Sequence, residues 1–295
     1  DKTGTLTQNE MTVQSIWLPQ TVNGVLSGRE INVSGIGYEP IGDLTENNRK
    51  LDSLIDQSLR TMLLTMARCN TSKLVPPDAE NSRWTIIGDP TEAALLVAAG
   101  KAGLKGETIR GEIIAEQPFE SRRKRMSIVQ LENTPQGLQR VVHTKGGIRE
   151  ILDVCDEIQL GAERVPLTEE IIHQIMQVND NYARLGLRVL AASQRTMDRE
   201  ESDYSVDGLE KGQTFLGMMA MMDPPRSDVV EAVRVCHNAG IRIIMITGDY
   251  GLTAETIARN IGIVEGNQVR VVTGVELEGM DEATLQAAVQ DQVIF

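Results

Sequence analysis

The sequence predicts an α/β protein built from two different units. One is an incomplete parallel-sheet unit formed by the two ends of the chain. The other is an α+β unit on an antiparallel sheet, inserted between them. Three observations predict this. The middle of the chain carries short strand-like runs joined by connections too short for crossovers, which suits antiparallel pairing. The tail alternates continuous apolar runs with amphipathic helical stretches, the pattern of a parallel sheet with crossover helices. A length of 295 residues, 41% hydrophobic and 24% charged, fits two ordinary globular domains and not a disordered, collagenous or coiled-coil chain.

Taken in order, residues 11–19 alternate as a strand does, and shorter strands follow at 22–26 and 31–33. Residues 49–69 predict a helix, with Leu51, Leu54, Ile55, Leu59, Met62, Leu63 and Met66 at helical spacing. Pro76 and Pro77 mark a loop, and 85–87 a short strand. A helix runs from Pro90 toward Gly100. Asp89 is placed as its cap, with Pro at the first helical position and Glu92 at the acidic position of a capping box. Strands at 113–118, 126–131 and 138–144 follow, the last two joined by a turn at 135–137. Helices at 148–155 and 169–185 and a strand at 189–194 complete the middle region. In the tail, strands at 215–222, 241–246 and 269–273 alternate with helices at 227–238, 252–261 and 282–290, and 293–295 begins another strand. The change of style divides the chain into 1–11 with 217–295, and 12–216.

Composition removes several functions. Lys and Arg number 29 against 42 Asp and Glu, a net charge of −13, so no nucleic-acid partner is expected. The longest apolar runs are about eight residues, against roughly 20 for a membrane helix. Cys69, Cys155 and Cys236 lack metal-type spacing and are odd in number, which fits a reduced cytosolic setting. His143, His173 and His237 are scattered and read as structural or surface residues. The Met-rich run 218–222 reads as core. No signal-peptide pattern is present, and a chain opening on Asp1 reads as an excised fragment.

The sharpest motif is Asp1-Lys2-Thr3-Gly4-Thr5-Leu6-Thr7. A carboxylate followed by Gly and hydroxyl residues offers backbone N–H groups to a phosphate, and the carboxylate itself can attack phosphorus to form an acyl phosphate. A solvated terminus with a Gly turn is the plain alternative. Further along stand Gly88-Asp89-Pro90-Thr91-Glu92, the Phe119–Met126 run FESRRKRM, Lys145-Gly146, Asp223-Pro224-Pro225-Arg226 and Thr247-Gly248-Asp249. By their chemistry, Phe119 beside a basic run suits stacking on a base with phosphates near cations. Lys145-Gly146-Gly147 has the form of an anion site opening a helix. Thr247-Gly248-Asp249 ends an apolar strand, where open α/β sheets bind ligands. The bland counterparts are a core Phe, a solvated basic face, a turn with a surface Lys, a helix cap at Asp249 and a loop before a helix at Asp223.

In order and approximate spacing, these motifs resemble the P-type ATPases, ion pumps that phosphorylate their own Asp, from one end of the chain to the other. The resemblance implies a haloacid-dehalogenase-like phosphorylation domain, incomplete here, with a nucleotide-binding domain inserted into it. It implies ATP and Mg²⁺ as cofactors. Asp1 would be the nucleophile, flanked by Lys2 and Thr3, with Asp1 and the Thr3 carbonyl as magnesium ligands. Thr247, Gly248 and Asp249 would complete the phosphoryl site. Glu92, Phe119, Lys124, Lys145, Gly146 and Arg188 would line the nucleotide, and Asp223 and Arg226 would hold the domains or the phosphates. Thr3 stands where soluble phosphatases of the wider superfamily carry a second Asp, so an acyl phosphate at Asp1 should hydrolyse slowly.

The whole protein is expected at the cytoplasmic face of a membrane, with membrane helices, an actuator domain and a transported cation as its partners. The run from Phe119 to Ser127 looks most like the calcium-pump branch. The fragment is expected to bind ATP without forming the acyl phosphate efficiently. A soluble phosphatase of the same superfamily, a nucleotide-binding module without chemistry and a structural interaction domain stay open as alternatives.

Overall fold

The computed structural model describes residues 4–22, 25–52, 56–79, 81–109, 111–134, 137–226, 228–247, 251–264, 269–289 and 293–294. The first elements are β1 (Thr12–Val22), β2 (Val25–Val33), β3 (Leu44–Glu46), β4 (Arg49–Lys50), α1 (Gln57–Arg68), β5 (Lys73–Val75), β6 (Thr85–Ile87) and α2 (Pro90–Lys101). Then come β7 (Glu112–Glu120), β8 (Arg125–Thr134), β9 (Gly137–Gly146), α3 (Ile148–Leu152), β10 (Cys155–Leu160), β11 (Glu163–Pro166), α4 (Glu169–Arg184) and β12 (Arg188–Thr196). The chain continues through α5 (Val206–Leu209), β13 (Gln213–Met222), α6 (Val229–Asn238), α7 (Gly251–Asn260), β14 (Arg270–Val271), α8 (Gly274–Glu278), α9 (Glu282–Ala288) and β15 (Val293–Ile294). The protein is α/β with a large antiparallel sheet.

Two compact units divide the chain. One comprises Met11–Asn179 and Val189–Met221, the other Asp1–Glu10, Asp180–Arg188 and Met222–Phe295. The first is organised by an 11-stranded sheet in the order β4-β3-β2-β1-β13-β12-β9-β8-β7, with β10 and β11 attached beside β13. The pairs β1·β2, β7·β8, β8·β9 and β9·β12 are antiparallel, while β10 runs parallel to β13. Helices α1 and α2 supply Leu59, Met62, Leu63, Met66, Leu95 and Ala98 to a core shared with Ile16 and Leu18 of β1, Ile31 of β2 and Met219 of β13. In the second unit, Val229, Val233, Met245, Ala254, Ile257, Ile261 and Ile294 form a separate core with Leu6 packed against it.

Among the described residues the helix expected over 49–69 begins only at Gln57, and Leu54 and Ile55 lie outside them. Asn47 and Asn48 adopt φ of 48° and 62°, the left-handed pair that a tight hairpin needs, and so residues 49–50 become β4. Asp56 then caps α1, accepting from the Leu59 amide at 3.0 Å. Arg29 of β2 ties the two features together, reaching Glu46 at 2.9 Å and Asp56 at 2.6 Å. The helix expected over 148–155 stops at Leu152, because Val154 and Cys155 are taken up beside β13, with the Gln213 amide donating to the Val154 carbonyl at 3.0 Å.

The run 215–222, read as a strand of the tail's parallel sheet, is instead β13 of the large sheet, between β1 and β12. It is buried from Gln213 to Met221. A continuous apolar run reports burial on both faces, which a central strand of an antiparallel sheet also has. Its Gly217 lets the neighbouring strand approach, since a Cβ there would lie 2.4 Å from the Trp17 carbonyl oxygen. The strand expected over 241–246 reduces to a single parallel bridge between Met245 and Ile294. With β14·β15, that bridge is the extent of parallel pairing in the second unit among the described residues.

Candidate functional site

In the β8·β9 register Met126 stands opposite Lys145 and Ser127 opposite Thr144, so the first pair shares one face of the sheet and the second pair the other. Lys145 faces the helices. Its ammonium lies 2.7 Å from Glu92 Oε1 of α2, with side chains 6% and 13% exposed. The second carboxylate oxygen of Glu92 accepts from the Thr71 amide and hydroxyl, both at 2.8 Å, and from the Ser72 amide at 3.1 Å. Asn70 fixes that loop, donating to the Glu92 carbonyl at 2.8 Å and accepting from the Ser72 amide at 2.9 Å.

Asp89 does cap α2, accepting from the Thr91 and Glu92 amides at 2.7 and 3.1 Å. The Glu92 carboxylate is not the reciprocal half of a capping box, however. It turns to the loop after α1. Burial works against its ionisation, but the Lys145 ammonium and the Thr71 donors outweigh burial and hold its carboxyl below the usual range. The neighbouring Cys69 is fully buried, and burial pushes its thiol up to about 12, which leaves it protonated and unreactive.

Phe119 reaches this row through a β-bulge. Gln117 pairs with Ser127 and Glu120 with Arg125, so Pro118 and Phe119 together oppose Met126 alone. Proline suits that position because it has no ladder N–H to satisfy. The bulge sets Phe119 beside Met126 and hence in line with Lys145, and leaves the ring 61% exposed. The turn after β7 closes on Lys124, whose amide donates to the Glu120 carbonyl at 2.7 Å and whose φ is 49°. The Lys124 side chain is 64% exposed, with its ammonium 3.5 Å from Glu150.

Gly146 is required at this point by close packing, since a Cβ would fall 2.5 Å from the Lys124 carbonyl oxygen and 2.6 Å from Arg125 Cβ. The anion site expected at the following helix is reduced. Helix α3 has five residues, and the Gly147 amide is committed to the Lys124 carbonyl at 3.0 Å. The basic run is also less available than its sequence suggests. Arg123 and Arg125 both turn inward to the carboxylate of Glu210, which is 1% exposed, so Arg122 and Lys124 are the exposed cations of the run. Arg188 is the exposed first residue of β12, just ahead of Ala191, which pairs with Gly146.

Asp223 and Arg226 bind the segment that follows Asp1. The Thr7 hydroxyl donates to Asp223 at 2.5 Å and the Glu10 amide at 3.1 Å. The Arg226 guanidinium donates to the Gly4 carbonyl at 2.9 Å and its amide to the Leu6 carbonyl at 2.9 Å. Thr7 is itself fully buried. Thr247 is half-buried two residues past the Met245 bridge. Asp1, Lys2, Thr3, Gly248 and Asp249 lie outside the described residues. Among the described residues no group of three or more His, Cys, Asp and Glu is arranged to hold a metal, and no helix is long and apolar enough to cross a membrane.

A family model described as P-type ATPase, cytoplasmic domain N, matches residues 58–228, more than half of the chain and including the whole Glu92–Phe119–Lys145 constellation. The chain belongs to the P-type ATPase family. Over its full length it is 34% identical to the cation-transporting ATPase pma1 of Synechocystis, covering 31% of that protein. It is likewise 34% identical to the calcium-transporting ATPase of Bacillus subtilis, covering 32% of it. It is 31% identical over its full length to the endoplasmic reticulum calcium ATPase srcA of Aspergillus fumigatus, covering 33%. The chain thus spans about a third of the length of the curated relatives it matches.

Within this P-type ATPase chain, sequence reasoning missed four groups that hold candidate residues: Thr71 and Ser72, which hold Glu92; Thr7, which holds Asp223; and Glu210, which holds two arginines. Only Thr7 carried a signal, as the last residue of the opening motif. The others lie in unremarked stretches, and Glu210 is 85 residues from Arg125 in sequence.

Proposed function

We propose that the unit built on the large sheet binds ATP, as the nucleotide-binding part of a cation-transporting pump. The observation that carries this reading is Phe119: a large ring, 61% exposed, set by a bulge in line with Lys145 and next to a turn that displays Lys124. Burying such a ring against a flat heterocycle would gain apolar contact, and the exposed Lys124 supplies charge for a polyphosphate, while Lys145, paired with Glu92, lines the same row. Glu92 holds Lys145 in place and Gly146 lets the backbone come close. Arg188, at the start of β12, is assigned to the phosphates.

In the whole protein, ATP held in this way would be presented to Asp1. A carboxylate oxygen of Asp1 attacks the γ-phosphorus, the bond to the β–γ bridging oxygen breaks, and ADP leaves with that electron pair. Magnesium, held by Asp1 and the Thr3 carbonyl, would neutralise charge on the transferring phosphoryl group. Lys2, Thr247, Gly248 and Asp249 are assigned to the same haloacid-dehalogenase-like site. Asp223 and Arg226 serve it by fixing the segment that follows the nucleophile. The phosphorylated state would drive transport of a cation at the cytoplasmic face of a membrane. Calcium is the ion we favour, because two of the relatives above are named calcium ATPases.

Titration of the chain with ATP by calorimetry, with and without Mg²⁺, tests the binding step. Saturable binding is expected, weakened at least about tenfold, or roughly 1.4 kcal/mol, in both Phe119→Ala and Lys145→Ala. Folded wild-type chain that takes up no ATP would overturn the reading.

A further inference from the structure

The face of the large sheet opposite Lys145 holds a buried polar cluster that the nucleotide reading does not use. At its centre is Glu210, which follows α5 and has a side chain only 1% exposed. Its carboxylate accepts from the Arg125 Nε at 2.6 Å and from the Ser127 hydroxyl at 3.1 Å, and it pairs with the Arg123 guanidinium. The cluster continues through Ser127 to the Thr144 hydroxyl at 2.9 Å, from Gln213 to Thr144 at 2.8 Å, and from Ser193 to Gln213 at 2.5 Å.

The two arginines are not spent on Glu210 alone. Arg123 also donates to the Pro118 carbonyl at 2.8 Å and to Glu120 at 3.0 Å, so it clasps the bulge from behind. Arg125 also donates to the Glu150 carbonyl at 3.1 Å, and so reaches the helix that follows Gly146. Between these inward-turned cations Lys124 sits in the left-handed region at φ 49°, with its side chain directed to solvent. Burying a carboxylate this completely is costly unless charged donors surround it, and here those donors come from the two sides of the displayed turn.

We propose that Glu210 is a positioning residue for nucleotide recognition: through Arg123 and Arg125 it fixes the bulge and turn that present Phe119 and Lys124, without touching the ligand itself. The inference rests on the nucleotide reading and adds to it a residue outside every motif of the sequence. If Glu210 acts through Phe119, removing its charge misplaces the ring, and the two changes share one cost.

The test is a double-substitution cycle on the whole 295-residue chain, read by calorimetry with ATP and separately with adenosine. The chains are wild type, Glu210→Gln, Phe119→Ala and the double variant, each checked for native circular dichroism. Glu210→Gln should weaken adenosine by about tenfold and ATP, which also loses the placement of Lys124, by at least as much, and Phe119→Ala should cost clearly less in that background than in wild type. Glu210→Asp, which keeps the charge, should recover part of the affinity. Where Glu210→Gln melts, Arg123→Gln takes its place, since it releases the Pro118 carbonyl but leaves Arg125 on Glu210. The same coupling to Phe119 is expected.

Full additivity, or unchanged affinity in a folded variant, overturns the inference while wild-type binding still stands. Absence of ATP binding by folded wild-type chain overturns the nucleotide reading, and this inference with it.

Discussion

At the residue scale, Glu92 shows how one side chain acquires a role that its local sequence does not specify. Asp89-Pro90-Thr91-Glu92 has the spacing of a capping box, and Asp89 takes its half of it. Glu92 does not, because a buried ammonium and a row of amide and hydroxyl donors outcompete a single exposed backbone N–H. The consequence is measurable by pH. The folded chain holds this carboxyl below its ordinary 4.5, so it binds the proton less readily than the unfolded chain does. The stability this supplies is complete above the unfolded value and is lost as pH falls through the folded one. Glu92→Gln also strands the Lys145 ammonium in a nearly closed site, so it should cost about 3 kcal/mol at pH 7. Denaturant titrations should show the gap between wild type and variant narrowing below about pH 4. A gap that stays constant from pH 7 to pH 3 would contradict the assigned ionisation.

Elements enter where two strands and a turn must fit together. The three strands β7, β8 and β9 were legible as strands, since each alternates or runs apolar over a strand's length. Their register was not. The bulge at Pro118–Phe119, which decides what Phe119 stands beside, depends on pairing across to β8, and no local propensity encodes a pairing partner. Gly146 belongs to the same problem. Read in sequence, it suggested a helix opening onto an anion. In the fold it is the place where β9 passes under the turn, with no room for a Cβ beside Lys124 and Arg125. Gly146→Ala should therefore destabilise the chain by about 1–3 kcal/mol through overpacking and shift the turn that displays Lys124, weakening ATP. Thermal unfolding and calorimetry on the one variant check both. Unchanged melting would show that the turn yields more easily than its contacts imply.

For the whole molecule, the two units have separate cores, the proposed function gives them separate tasks, and Asp223 separates them experimentally. Its carboxylate is bound to Thr7 and the Glu10 amide within the unit that contains the opening motif. Asp223→Ala should therefore raise amide hydrogen exchange in residues 4–10 and at Arg226 and leave the ATP affinity of the other unit within about twofold. A loss of ATP affinity equal to that of Phe119→Ala would instead place Asp223 with the nucleotide.

Local pattern in the sequence specified the α/β class, most of the strands and helices, and the side chains worth examining: Phe119, Lys124, Lys145 and Gly146 fall on β7, β9 and the turn before β8, and Glu92 meets Lys145 from α2. Those are consequences of local pattern, which short-range sterics and burial impose on the chain wherever it folds. Tertiary pairing alone makes 215–222 a strand of the large sheet, turns Arg123 and Arg125 inward onto Glu210, and sets Thr71 and Ser72 on Glu92. These are pairings between groups distant in sequence. Hydrogen bonds and ion pairs form between whatever donors and acceptors the fold brings within reach, so a carboxylate such as Glu210 has no partner until two strands and a helix end have closed around it.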